Sequence, residues 1–67
     1  MGFGKNPYVA KAQAAEEKAG GARDDASRDR ALREAAHEWD RAAQKELPGK
    51  KRVEYEEHAE RVRKRVE

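Results

Sequence analysis

The sequence predicts an all-α fold, a small up-down-up three-helix bundle whose helices meet along Ala-rich seams. Two observations lead to this prediction. Apolar residues recur at helical spacings of three and four residues in three separate segments, and Gly and Pro residues separate those segments. The alternation with a period of two that indicates strands does not persist anywhere. Helices are therefore expected at about residues 7–19, 25–46 and 50–66, within a single domain covering residues 1–67.

The first segment opens at Asn6–Pro7. Asn accepts hydrogen bonds from the free N–H groups of a first turn, and Pro fits that turn because no donor is needed there. Gly20–Gly21 should end the helix in the left-handed conformation that Gly tolerates. Residues 1–6 are expected to form a flexible N-terminus. The apolar stripe of this segment is Tyr8, Ala12, Ala15 and Ala19.

The second and third segments repeat the same stripe. Asp24, Asp25 or Ser27 could each cap the second helix, and the break at Pro48–Gly49 separates it from the third. Large apolar side chains are few, so the core is thin and stability should be marginal. The predicted core consists of Tyr8, Leu32, Ala36, Trp39, Ala43, Tyr55, Ala59 and Val62.

Composition limits the classes of function. The chain has 67 residues, with 16 basic and 14 acidic residues, a net charge of +2 and no Cys, which excludes disulfides and Cys-ligated metals. A charge distribution this dense and mixed usually coats helices. No apolar run approaches the roughly 20 residues that span a bilayer. We therefore expect a cytoplasmic protein without a membrane partner.

No residue pattern indicates catalysis. His37-Glu38 begins the zinc-protease string HExxH, but the second His position holds Arg41. His58 stands alone, Ser27 is the only Ser, and Trp39 falls on the core stripe. We predict no catalytic, cofactor-binding or metal-binding residue, no small-molecule substrate and no enzyme activity. Both His residues, and adjacent carboxylates such as Glu16–Glu17, are expected to face solvent.

One run of charge has two interpretations. Lys50, Lys51 and Arg52 would occupy the first turn of the third helix, where the helix dipole disfavours cations. They could simply make a turn soluble. They could instead form a basic patch that meets an acidic partner segment or phosphate.

Residues 31–66 resemble two families of helical binding modules. The run LREAAHEWDRAA is similar to the second helix of tetratricopeptide repeats and of microtubule-interacting and trafficking (MIT) domains, which share an aromatic-x-x-Ala-aliphatic-x-x-aromatic-x-x-Ala pattern. The run YEEHAERVRKRV resembles the third MIT helix through Tyr55, Ala59, Glu60 and Val62. The connection through Gly20–Gly21 is longer than MIT domains usually have.

The resemblance implies a groove beside the third helix that takes a partner helix or extended segment. Carried over, Val62 and Val66 would help form its floor, while Arg61, Lys64 and Arg65 would engage acidic partner side chains. The expected function is a non-enzymatic protein-interaction module for a helical or acidic partner segment, or for a second copy of the chain. The alternative is a small nucleic-acid-binding protein that uses the basic residues at 50–52 and in the last turns.

Overall fold

A computed structural model describes residues 6–66 as three α-helices: α1 (Pro7–Gly20), α2 (Asp25–Lys45) and α3 (Lys50–Lys64). This confirms the predicted all-α three-helix bundle. Each helix starts where it was predicted to start, whereas α3 ends two residues before residue 66. The predicted flexible segment lies outside the described residues except for Asn6, which is buried.

Asn6 joins the start of α1 to the end of α2. Its side-chain oxygen accepts from the Tyr8 N–H at 3.0 Å, which caps α1. Its amide donates to the Ala42 carbonyl at 2.8 Å and to Glu46 Oε2 at 3.1 Å. The Glu46 N–H bonds to the Ala43 carbonyl, so Asn6 satisfies a carbonyl that the end of α2 leaves free. One side chain therefore caps two helices.

The connection between α1 and α2 is set by local hydrogen bonds. Gly21 donates to the carbonyls of Glu17 and Lys18, with φ at −99°, so the predicted stop is confirmed but its left-handed conformation is wrong. Asp24 caps α2 by accepting from the Ser27 N–H at 2.7 Å, which decides between the three possible caps. This hydrogen bond stabilises the carboxylate, so it lowers the pKa of Asp24 below its ordinary value.

The start of α3 has no side-chain cap. Gly49 occupies the cap position with φ at 157°, the one positive φ within residues 6–66. Residues other than glycine rarely adopt this backbone conformation. The Pro48–Gly49 break predicted from the sequence thus depends on Gly at its second position.

Helix α2 lies between the other two helices. Both α1 and α3 pack on it, while the Cα atoms of α1 and α3 stay more than 8 Å apart. The Cα atoms extend over 36 × 24 × 12 Å, so the molecule is a thin slab. Arg28 of α2 also donates to the Arg65 carbonyl at the end of α3. In the described part of the chain, no helix has the length and apolar composition needed to cross a membrane.

The core is mostly alanine. Six of the predicted core residues are buried, and Tyr8 and Tyr55 are half-buried against them. Alanine seams let α1 and α3 approach α2 closely, which the sequence predicted. The buried apolar residues are Ala12, Ala15, Ala19, Ala31, Leu32, Ala35, Ala36, Trp39, Ala42, Ala43, Ala59 and Val62.

Candidate functional site

Trp39 is the point where side chains of all three helices meet. It is 3% exposed and lies on α2, in the gap that separates α1 from α3. The Tyr55 ring packs against it at a tilt, with centroids 5.6 Å apart. The His58 ring stacks on it at 4.0 Å and 21°. The predicted core role of Trp39 agrees with this burial.

Glu16 links the same three helices through its carboxylate. Trp39 Nε1 donates to Glu16 Oε2 at 2.6 Å, and His58 Nε2 lies 2.8 Å from that oxygen. Arg65 Nη1 is 3.8 Å from the other oxygen. The buried indole N–H is therefore satisfied, and α1 is tied to α3 across α2 by polar side chains.

These positions correct two sequence expectations. Glu16 and His58 were expected to face solvent, but both are half-buried around Trp39. Spacing could not reveal this, because each residue lies at the edge of its helix stripe and its partners come from other helices. The sequence signal of the cluster is limited to three residues. A Glu and a His each lie beside the apolar stripe of a different segment, and the single Trp lies on the stripe of the remaining segment.

This cluster is built to hold helices together. The indole N–H of Trp39 and Nε2 of His58 both pair with Glu16 Oε2, and Arg65 lies beside the other Glu16 oxygen. Within residues 6–66, no three His, Asp or Glu side chains are grouped so that they could hold a metal ion. Two grooves on the surface are lined by other residues.

A groove of about 520 Å³ runs between α2 and the end of α3. Ala36 and Val66 supply apolar surface, and Arg33, His37 and Arg63 line the remainder. No carboxylate of residues 6–66 lines it. We call this the α2–α3 groove.

Only some of the residues that the resemblance assigned to a partner groove line the α2–α3 groove. Val66 lines the α2–α3 groove, whereas Val62 is not part of its lining and lies in the core, where it was also predicted. Arg61 and Lys64 are exposed on α3 outside the lining of this groove. Arg65 is exposed beside Glu16. Arg33, His37 and Arg63 were not predicted, because their juxtaposition depends on how α3 lies on α2.

The predicted basic patch at the start of α3 is only partly free. Lys50 and Lys51 are exposed, but Arg52 is half-buried and its Nε lies 3.3 Å from Glu56 Oε2 on the same helix. Of these three cations, Arg52 is the one that pairs with a carboxylate within residues 6–66. They also lie outside the lining of the α2–α3 groove.

Comparison with known proteins places no further constraint on the site. The chain matches no family model, no curated protein and no solved structure. The resemblance of residues 31–66 to MIT domains and tetratricopeptide repeats therefore stays a prediction.

Proposed function

We propose that this chain is a non-enzymatic protein-interaction module that binds an acidic partner segment in the α2–α3 groove. The observation that carries this proposal is the lining of the groove. Two arginines and a histidine surround apolar surface from Ala36 and Val66, and no carboxylate of residues 6–66 joins them. Helix-in-groove recognition uses this combination of an apolar floor and charged edges.

Charge sets the kind of partner. Arg33 is exposed and has no ion pair within residues 6–66, whereas Arg63 pairs with Asp40 and Glu60. A carboxylate from a partner segment would find Arg33 available at the edge of the groove. Complementary charge of this kind favours acidic partners and repels basic ones.

The rest of the molecule supports a binding role by holding the groove walls in place. Ala36 and Val66 both line the groove, and Ala36 belongs to the same core cluster as Ala59 and Val62 of α3. The cluster around Trp39 ties α1 to the same two helices. A partner would therefore meet a preformed surface and lose little free energy to ordering it.

Charge reversal at Arg33 tests the proposal. The probes are two fluorescein-labelled helical peptides of about 20 residues, each with one leucine face, flanked by glutamates in one and by lysines in the other. We expect the glutamate peptide alone to bind, and Arg33→Glu to weaken it about tenfold, because an attraction becomes a repulsion. Fluorescence anisotropy measures the affinity, and circular dichroism checks the fold.

Arg61→Glu is the matched control. It makes the same charge change on an exposed position outside the groove, so it should leave the affinity within about twofold of the parent chain. Equal binding of the two peptides, or equal weakening by both variants, would contradict a groove that selects acidic segments. Absence of binding by either peptide would contradict the proposed function itself.

Self-association and nucleic-acid binding are the competing functions. Light scattering decides the first: a dimer that Arg33→Glu dissociates would make a second copy the partner. Exposed Lys50 and Lys51 favour the second. A gel shift with random duplex DNA at low salt decides it, since phosphate contacts give an affinity that falls steeply with salt.

A further inference from the structure

The outer face of α2 carries four basic residues at a constant spacing. Arg33, His37, Arg41 and Lys45 follow one another every four residues, and all four are exposed. We call this set the basic ridge. Four residues of α-helix rise about 6 Å, so the ridge runs for about 18 Å and winds slowly around α2. Acidic and basic residues are nearly equal in number in the chain, yet no acid interrupts the ridge.

Two carboxylates that adjoin ridge residues in the sequence are engaged by the outer helices. Glu34 lies 3.4 Å from Lys18 Nζ of α1, and Asp40 accepts from Arg63 of α3. The four ridge residues themselves have no carboxylate partner within residues 6–66.

Ridge residues line two grooves. Arg33 and His37 line the α2–α3 groove. A second groove of about 590 Å³ is lined by Tyr8 of α1, by the ridge residues His37, Arg41 and Lys45, and by Gln44 and Asp40, whose carboxylate pairs with Arg63. His37 lines both. Arg41 Nε donates to His37 Nε2 at 3.0 Å, and the Arg41 guanidinium lies 5.9 Å from the Tyr8 ring centroid, so both side chains are positioned.

We propose that the partner is an α-helix with carboxylates at every fourth residue over at least three turns, lying along the basic ridge. This inference rests on the proposed function and specifies its partner. A helix repeats its side chains at the same rise of about 6 Å per four residues, so the spacing of successive Glu or Asp side chains matches the spacing of the ridge residues. Apolar partner residues beside the carboxylates enter the flanking grooves.

A second copy of this chain does not carry the matching pattern. Acidic residues at four-residue spacing occur at most in pairs, and never as a run of three. Within the helices these pairs are Asp25 with Asp29, Glu34 with Glu38, and Glu56 with Glu60. The ridge therefore fits a different chain.

Two peptides of identical composition test the register. In the ladder peptide, four glutamates stand at i, i+4, i+8 and i+12 on an alanine- and leucine-rich helix; in the shuffled peptide they are spread around the helix. We expect the ladder peptide to bind about tenfold more tightly than the shuffled one in fluorescence anisotropy, at equal helicity by circular dichroism. Equal affinity would overturn the ridge while leaving acidic capture by the groove intact.

Charge-reversal variants of the basic ridge test where the ladder peptide binds. Lys45→Glu and Arg41→Glu should each weaken the ladder peptide about tenfold, and Arg61→Glu should not. Lys45 has no side-chain partner in the described residues, so its variant tests the ridge even if Arg41→Glu disturbs the fold. Ladder binding that survives both ridge variants overturns the proposal. Tighter binding of a single-stranded oligonucleotide than of the ladder peptide, lost in the same variants, also overturns it and assigns the ridge to phosphate.

Discussion

Trp39 fills the gap that a core of alanines leaves between α1 and α3. Burial of a side chain of about 150–250 Å² at about 25 cal/mol per Å² contributes about 4–6 kcal/mol, as an upper estimate. The hydrogen bond from its indole N–H to Glu16 matters as much, because an unsatisfied buried donor would cost about 1–3 kcal/mol. A single residue and its polar partner thus set the distance between two helices.

Asp24 makes a pH-dependent contribution to the free energy of unfolding. The Ser27 N–H lowers the pKa of the Asp24 carboxyl below the ordinary value of 3.8. A lowered folded-state pKa adds stability that is fully present above 3.8 and is lost as the pH falls through the folded-state value. We expect chemical denaturation to show this loss between about pH 5 and about pH 2.

Asp24→Asn is the control for this loss, since Asn caps a helix without titrating. The difference in unfolding free energy between the parent and this variant isolates Asp24 from the other carboxylates. This difference should be constant above about pH 5. At lower pH the parent should lose stability relative to the variant. A difference that does not change with pH would show that the Ser27 hydrogen bond does not depend on charge.

The helices begin and end through local chemistry, but two glycines at their ends have opposite roles. Gly20 is the last residue of α1, and a Cβ added there would meet no atom within 4 Å. Gly49 precedes α3 with φ at 157°. Gly20 can therefore be replaced, whereas the backbone conformation at position 49 requires glycine.

Substitution of each glycine by alanine tests these two roles. Gly49→Ala should lower the unfolding free energy by about 1–3 kcal/mol, because Ala is strained at this φ. Gly20→Ala should raise it by up to about 1 kcal/mol, because Ala restricts the unfolded chain and favours helix. Urea denaturation measures both, and a loss of stability at Gly20 would contradict the open space around it.

The molecule as a whole depends on close approach of its outer helices to α2. With α1 and α3 packed on opposite sides of one helix, the slab is only 12 Å thick between its outer Cα atoms. Few large side chains cover this core, so the net stability of so short a chain is a small difference between large terms. Any increase in volume along an alanine seam separates two helices.

Ala12→Leu tests this dependence on the seam. Ala12 is 0% exposed, so the larger side chain should cost about 1–3 kcal/mol of unfolding free energy by overpacking. Ala14→Leu makes the same change two residues away on the exposed face of α1 and should be nearly neutral. Thermal unfolding followed by circular dichroism compares the two. Equal melting temperatures would mean that α1 is not held against α2.

The site was harder to predict than the fold. The caps and breaks that bound each helix are encoded by neighbours in the chain, as at Asn6, Asp24 and Gly49, and so could be predicted closely. The groove residues were predicted only in part: Val66 lines it, but Val62 is buried and Arg33, His37 and Arg63 were missed. A stripe shows which face of a helix is apolar, not which charged flank a neighbouring helix will adjoin.

By itself, the sequence determined three helices, their starts, and the side of each that is buried, because hydrogen-bonded caps and the 3.6-residue period act within one segment. Only the tertiary structure decided that α2 lies in the middle, that Glu16 and His58 meet at Trp39, and that Arg63 joins Arg33 beside Val66. Those pairings join residues about 20 or more positions apart, and their geometry depends on how three helices pack, which no local pattern specifies.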